Sequence, residues 1–275
     1  MYTRRQVLDT TEFKSVWKYP LLTKLLIRVK PFQGEYKLDL LKKFIYNPKL
    51  DIGRNLYLTG KFEDDEIKYS TDLLSEYESG TVLDIGANVG LHVITWAQKI
   101  PSHNYYAFEP TKFVHRVLIE NIKLNNQRGN IITVEKAVSN QVGISSFYET
   151  SDDAYNSLKD TKRKSVNKVY DVQVTTIDNF INENNINDLR FVKIDTEGFE
   201  DEVIDGAKDT IRKFMPTFFI EIYKGTDSNI NAEKTIRKMI EFGYHAYVFK
   251  DNIPTHYYQH NDKYYNYFFS KTPLI

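Results

Sequence analysis

Six side chains stand where strand-like runs give way to turns, and together they could hold a charged, hydroxyl-rich ligand: Asp84, Glu109, Lys193, Asp195, Glu197 and Glu221. Asp84 closes an apolar, β-branched run over residues 81–85, the turn Gly86-Ala87-Asn88-Val89-Gly90 follows, and residues 91–100 then carry apolar positions at helical spacing. Glycine in such a turn lets the backbone approach a ligand closely, and the new helix begins with unpaired N–H groups. A dinucleotide-binding turn reads G-x-G-x-x-G and holds a pyrophosphate. This one reads D-x-G-x-x-x-G. A carboxylate there would repel pyrophosphate but suits the ammonium of an amino-acid-like ligand, so the chemistry points to S-adenosylmethionine rather than a nicotinamide cofactor. The candidate cofactor contacts of this turn are Asp84, Ile85, Gly86, Ala87, Asn88 and Gly90, with His92 at the start of the helix beside the methionine moiety.

Glu109 ends a second strand over residues 104–108, about twenty residues after the glycine turn, where a ribose-binding carboxylate is expected; Pro110 stops the strand. A carboxylate accepts hydrogen bonds from both ribose hydroxyls. The alternative is a solvated acid that favours the start of the next helix through its dipole. Farther along, residues 190–194 form an apolar strand interrupted by Lys193, followed by Asp195-Thr196-Glu197-Gly198-Phe199-Glu200 and a helical pattern. Ligands of α/β sheets bind at the carboxyl ends of strands, which places Asp195 and Glu197 at a reaction centre. Lys193, two residues before Asp195, shares its strand face and could orient it or lower an acceptor's pKa. Glu221 ends the next strand and could converge on the same cleft, while Glu200 reads as a helix-start acid. Three oxygen-ligand acids, Asp195, Glu197 and Glu221, also form a candidate magnesium site. The competing reading is that they hold cofactor and loop without metal.

In series, V-L-D-I-G-A-N-V-G at 82–90, F-E-P at 108–110, T-T-I-D at 175–178, K-I-D-T-E-G-F-E at 193–200 and the strand that ends in Ile220-Glu221 resemble the FkbM family of S-adenosylmethionine-dependent methyltransferases across residues 60–270. The resemblance implies a Rossmann-like class I methyltransferase: α/β, a seven-stranded mostly parallel sheet with helices on both faces, and the last strand inserted antiparallel. It also places the acidic helix entry around Glu63 near the cofactor, and the backbone of Lys136, Ala137 and Val138 beside the adenine edge. The function it implies is O-methylation, with a sugar hydroxyl of a surface glycan, glycolipid or related saccharide as acceptor. The alternative is a non-catalytic S-adenosylmethionine-binding partner of a glycan-assembly enzyme.

The elements that must position these residues are legible in outline. Residues 51–59 look like a short strand leading to Gly60, and a helix over residues 61–80 follows. Residues 142–149 and 169–175 alternate and read as an added β-hairpin around a polar, lysine-rich stretch, 150–168, whose Asn156 and Ser157 are candidate acceptor contacts. Strands over 217–223, 244–249 and 264–270 and a helix over 231–242 complete the pattern.

With 275 residues, 41% of them hydrophobic, the chain can bury one large core. The expected division is a basic N-terminal helical extension over residues 1–60 and a methyltransferase domain over 61–275. Zero cysteine excludes disulfides, thiolate metal sites and a cysteine nucleophile. No run reaches membrane-span length and the opening residues do not lead into a signal-peptide core, which gives the expectation of a cytoplasmic protein, peripheral to a membrane at most. Net charge is zero, yet residues 1–50 hold eleven Lys and Arg against four Asp and Glu. Trp17, Leu21, Leu22, Leu25 and Leu26 interleave with Lys18, Lys24 and Arg28, a pattern that suits an anionic membrane surface or, alternatively, docking on the catalytic domain or a second subunit. No nucleic-acid reader motif accompanies the charge.

Overall fold

The computed structural model describes residues 37–39, 43–125, 130–222, 232–250, 253–257, 260 and 264–274. The apolar, basic segment over residues 17–30 lies outside the described residues. The described chain begins with a pair of short antiparallel strands, β1 (Lys37–Asp39) and β2 (Phe44–Tyr46). The extension is therefore not wholly helical.

Residues 51–59, expected as a strand, are a helix, α1 (Asp51–Thr59). Ile52 and Leu56 lie four apart on one face, Gly60 closes the helix in the left-handed conformation (φ 78°), and the carboxylate of Asp152 accepts the Asp51 N–H at 3.1 Å. That last partner is 101 residues away, beyond any local pattern. The next helix, α2 (Asp64–Ser75), is shorter than the expected 61–80.

The main sheet then alternates strand and helix: β3 (Gly80–Ile85), α3 (Leu91–Lys99), β4 (His103–Phe108), α4 (Lys112–Leu124), β5 (Ile131–Val134). A three-stranded insertion follows, β6 (Ala137–Val138), β7 (Gly143–Thr150) and β8 (Val166–Thr175), with β8 in the middle. The chain returns through α5 (Ile177–Glu183), β9 (Leu189–Ile194), two short helices α6 (Glu200–Asp205) and α7 (Lys208–Phe214), β10 (Thr217–Glu221), α8 (Ala232–Glu241), β11 (His245–Lys250), β12 (Ile253–His256) and β13 (Asn266–Ser270).

In the main sheet the order is β12-β11-β13-β10-β9-β3-β4-β5. Strands β10, β9, β3, β4 and β5 are parallel, and β13 runs antiparallel between β10 and β11, as expected. The sheet has eight strands rather than seven. The eighth, β12, is an edge strand paired only to β11, with Pro254 opposite Phe249. Proline lacks the N–H a ladder needs, which removes the strand signal from the sequence, yet an edge strand tolerates it.

Alternation along the strands sorts the core onto two faces. Leu83, Ile85, Val192, Ile194, Phe218 and Ile220 face one buried cluster, beneath α5 to α8. Val82, Phe191 and Phe219 face the other, beneath α2 to α4. On that second face the pattern continues from Val82 to Asp84, from Phe191 to Lys193 and Asp195, and from Phe219 to Glu221. It is apolar at the amino ends of the strands and charged at the carboxyl ends. No helix among the described residues is long and apolar enough to cross a membrane.

Candidate active site

Strand order reverses between β3 and β9, the point at which α/β sheets open a crevice at their carboxyl ends. There Asp195 N–H donates to the Ile85 carbonyl at 3.0 Å. A Cβ on Gly86, whose φ is 80°, would lie 1.8 Å from the Asp195 carbonyl oxygen. Glycine is thus required at position 86 both by backbone conformation and by contact with the neighbouring loop. Above this crossing lies a cavity of about 790 Å³.

Of the residues singled out from sequence, Glu63, Ile85, Gly86, Ala87, Asn88, His92, Glu109, Pro110, Lys136, Ala137, Val138, Asn156, Ser157, Lys193, Asp195, Glu197 and Glu221 line this cavity. Asp84 and Gly90 do not. Asp84, expected on the cofactor ammonium, is wholly buried beside Lys193, its register partner on β9, with Oδ1 3.7 Å from Nζ. Burial pushes its pKa up against the pull of Lys193. Gly90 turns the chain into α3 with φ 94° and packs against Leu118 and Ile94.

Lys193 is the hub of the charged end. Its Nζ donates to Asp195 Oδ2 at 3.2 Å. Burial works against its charge, but Asp195, Asp84 and Glu63 outweigh burial and hold its pKa above the ordinary lysine value. Asp195, Glu197 and Glu221 present carboxylate oxygens within 4.8 Å of one another. Glu197 is ion-paired to Arg163 of the insertion. Burial, then the neighbouring Asp195, pushes Glu197 well above the usual carboxylate range, and Glu221 is raised by burial and then by Asp195, Glu197 and Glu63. Glu63 is pushed up to about 8, chiefly by burial, and its Oε2 lies 3.4 Å from His92 Nε2. Burial keeps His92 neutral, well below its ordinary pKa.

At the other end of the cavity, Glu109 is buried and its Oε1 accepts the Thr111 N–H at 2.7 Å. Burial pushes its pKa up to about 7, opposed by hydrogen bonds from Thr111 and the Asn88 backbone. Three polar residues of the lining adopt left-handed backbone that is costly for non-glycine residues: Glu63 (φ 49°), Asn88 (φ 48°) and Glu197 (φ 52°). Strain of this kind persists where surrounding structure holds it, and here it aims polar side chains into one cavity.

The stretch over residues 150–168 is an ordered wall of the cavity. Ser157 Oγ donates to the carbonyls of Thr196 and Glu197 at 3.3 and 3.1 Å, Asn156 Nδ2 donates to Thr111 Oγ1 at 3.4 Å, and Asn88 Nδ2 donates to the Asp153 carbonyl at 3.4 Å. Tyr155 donates to Asp51 at the start of α1, and the Arg163 guanidinium stacks over the Tyr155 ring at 4.3 Å. Sequence reasoning passed over Tyr155 and Asn121. Asn121, fully buried on α4, accepts the Ile45 N–H at 2.6 Å and donates to the Ile45 and Val89 carbonyls at 3.0 and 2.9 Å, so it clamps the glycine turn to β2. Its only sequence signal is an amide on an otherwise apolar helix face.

A mostly parallel α/β sheet with a glycine turn, a buried acid after the neighbouring strand and a charged cleft at the switch point has the layout of a nucleotide-binding fold. The Methyltransferase FkbM domain matches residues 84–247, and the chain belongs to that family. A curated relative, the hexuronic acid methyltransferase AglP of Haloferax volcanii, is 30% identical over 156 residues, which cover 56% of this chain and 61% of that protein. Among solved structures, the methyltransferase FkbM of Methylobacillus flagellatus is 15% identical, covers 96% of this chain and 61% of its own, and superposes with a TM-score of 0.47. The O-methyltransferase of Bacillus cereus in complex with SAH is 11% identical over 76% of this chain and 81% of its own, with a TM-score of 0.45. The chain thus spans less than two thirds of the length of AglP and of the M. flagellatus protein.

Proposed function

We propose that this protein is an S-adenosylmethionine-dependent O-methyltransferase whose acceptor is a saccharide hydroxyl, on a surface glycan, glycolipid or related molecule. The observation that carries the reading is one cavity, in an FkbM-family chain, that joins the glycine turn and Glu109 to the carboxylates of Asp195, Glu197 and Glu221. The name of the AglP relative supports a sugar acceptor.

The donor set fits S-adenosylmethionine. Glu109 offers an acceptor for ribose hydroxyls, Ala137 and Val138 offer apolar surface for the adenine, and Glu63 with neutral His92 offers acceptors for an ammonium. When bound, this cofactor supplies a methyl group already activated by its sulfonium. The protein must align the acceptor oxygen with the carbon–sulfur bond and take the proton. Asp195, with Glu197 and Glu221 beside it, would take up the proton that the acceptor hydroxyl gives up on methylation. Lys193 holds Asp195 in place, and Arg163 does the same for Glu197.

A second reading adds magnesium, supported by the oxygens of Asp195, Glu197 and Glu221 within 4.8 Å of one another. Activity lost to chelator and restored by magnesium supports it, and chelator-resistant activity leaves the carboxylates acting alone. Catalysis is tested by methyl transfer from tritiated S-adenosylmethionine to extracted glycans and glycolipids. Calorimetric binding of S-adenosylhomocysteine without any transfer would instead favour a non-catalytic partner of a glycan-assembly enzyme, and no binding would overturn both.

The same proposal treats residues 1–60 as a basic extension of a methyltransferase domain over 61–275, acting at the cytoplasmic face of a membrane or at a subunit contact. The charge of residues 1–50 supports it. Phe44, Ile45, Tyr46 and Leu56 nevertheless share a buried cluster with α2 to α4, so the inner part of the extension belongs to the same core. Deleting residues 1–30 should release the protein from anionic vesicles, or change its solution mass, while S-adenosylhomocysteine binding persists.

A further inference from the structure

We infer that Asn266 is a positioning residue for the amino-acid end of the cofactor: from β13 it holds the carboxyl groups of Glu63 and Glu66 in the cavity wall without lining the cavity itself. The inference rests on the placement of the cofactor ammonium at Glu63 proposed above and deepens it. Because β13 runs antiparallel to β10, its first residue sits at the carboxyl end of that strand. Phe268 is paired with Phe219, their rings stacked with centroids 4.6 Å apart, and the same two-residue step that takes Phe219 to Glu221 takes Phe268 to Asn266. Asn266 thus lies beside Glu221, on the sheet face that carries Asp84, Lys193 and Asp195.

Its amide reaches off the sheet to the start of α2. Nδ2 donates to Glu66 Oε1 at 3.2 Å, across 200 residues of sequence, and the side chain is also hydrogen-bonded to Glu63. An amide nitrogen carries two hydrogens, so one group can serve two carboxyls without adding charge. A carboxyl keeps an acceptor oxygen whether it is neutral or ionised, and the tie therefore does not depend on the protonation of either acid. Glu63 needs such a tie. Its backbone is left-handed, with φ 49°, and its Oε2 lies 3.4 Å from His92 Nε2, so Asn266 and His92 together fix where its oxygens stand. Asn266 is itself only 9% exposed, and its Oδ1 has no hydrogen-bond partner among the described residues. A buried oxygen left unpaired costs stability. Packing alone would favour an apolar residue there, as at Phe268, so the amide answers to the acids it reaches rather than to the core.

Calorimetry on the full chain with two probes separates positioning from packing: S-adenosylhomocysteine, and methylthioadenosine, which shares its adenosine and thioether but has neither ammonium nor carboxylate. In Asn266→Leu, S-adenosylhomocysteine should bind about tenfold more weakly, while methylthioadenosine binds within about twofold of the wild type. Asn266→Val, which suits a strand, is read in the same way should the Leu variant fail to fold. In a Glu63→Gln background the Asn266 change should add little further loss, because the two side chains act as one unit. Equal losses for both probes, or an unchanged S-adenosylhomocysteine affinity, would overturn the inference. Glu63→Gln without effect on S-adenosylhomocysteine would overturn the ammonium placement and the inference with it. An effect of Glu63→Gln without one of Asn266→Leu would overturn the inference alone.

Discussion

At Glu109 the cofactor reading becomes a pH experiment. Its pKa is about 7 in the folded protein against 4.5 ordinarily, because burial disfavours the charge. Between those values the unfolded chain has released the proton and the native state keeps it. The stabilising contribution of the protonated carboxyl is therefore present below about 4.5 and is lost as pH rises to about 7. Ribose hydroxyls favour the ionised form, so S-adenosylhomocysteine should bind about tenfold more tightly at pH 8 than at pH 6, with proton release on binding near pH 7. Glu109→Gln should flatten that dependence. Calorimetry in buffers of different ionisation enthalpy reads both effects, and a pH-independent wild type would remove Glu109 from the ribose. Asp84 belongs to a different calculation. Since Asp84 is buried against Lys193, which also keeps Asp195 at 3.2 Å, Asp84→Asn should lower stability by about 1–3 kcal/mol. Asp84→Asn with Lys193→Met should cost less than the sum of the single changes. Additive losses in urea melts would mean the two side chains do not interact.

Among the elements, α4 does more than cover the sheet. Its Asn121 pairs with both backbone groups of Ile45 and with the Val89 carbonyl, and one turn later Asn125 donates to the Lys43 carbonyl at 2.8 Å. The helix thereby stitches β2 to the glycine turn. Asn121→Leu preserves volume but leaves these buried groups unpaired, at about 1–3 kcal/mol for each unsatisfied group. The expected outcome is a folded protein of reduced Tm whose S-adenosylhomocysteine affinity falls at least fivefold. An unchanged affinity alongside a lowered Tm would confine Asn121 to packing.

Across the whole molecule, the cavity is walled by three pieces distant in sequence: α1 with the turn into α2, the insertion between β6 and β8, and the carboxyl ends of the central strands with the turns that follow them. The insertion touches the others through a few polar ties rather than a broad apolar seam, and segments held in that way open at low cost. S-adenosylhomocysteine at a hundred times its Kd should stabilise the native state by about 2.7 kcal/mol. Hydrogen exchange should slow most over residues 150–168 and 60–66, with little local change in β11 and β13. Uniform protection across the chain would show that the ligand is sensed only through global unfolding.

Local chemistry determined much of this protein in advance. The apolar run before Asp84, the glycines after it and the acids at 109, 195 and 221 declare parallel strands that end at a shared cleft, because strand burial and turn geometry are short-range requirements written into residue type. Tertiary structure decided what those residues face. Asp84 turns out to meet Lys193 rather than the cavity, since the register of β3 against β9 sets them side by side on one face. Residues 51–59 form a helix, since Asp152 reaches its first N–H from another part of the chain. Asn121, Tyr155 and Arg163 acquire their roles only when separate segments meet, and the eighth strand exists because β11 offers an edge that tolerates Pro254. Except for β12, which pairs with β11 as a local hairpin, the deciding contact spans a sequence separation that no local pattern encodes, and only folding brings the partners within reach.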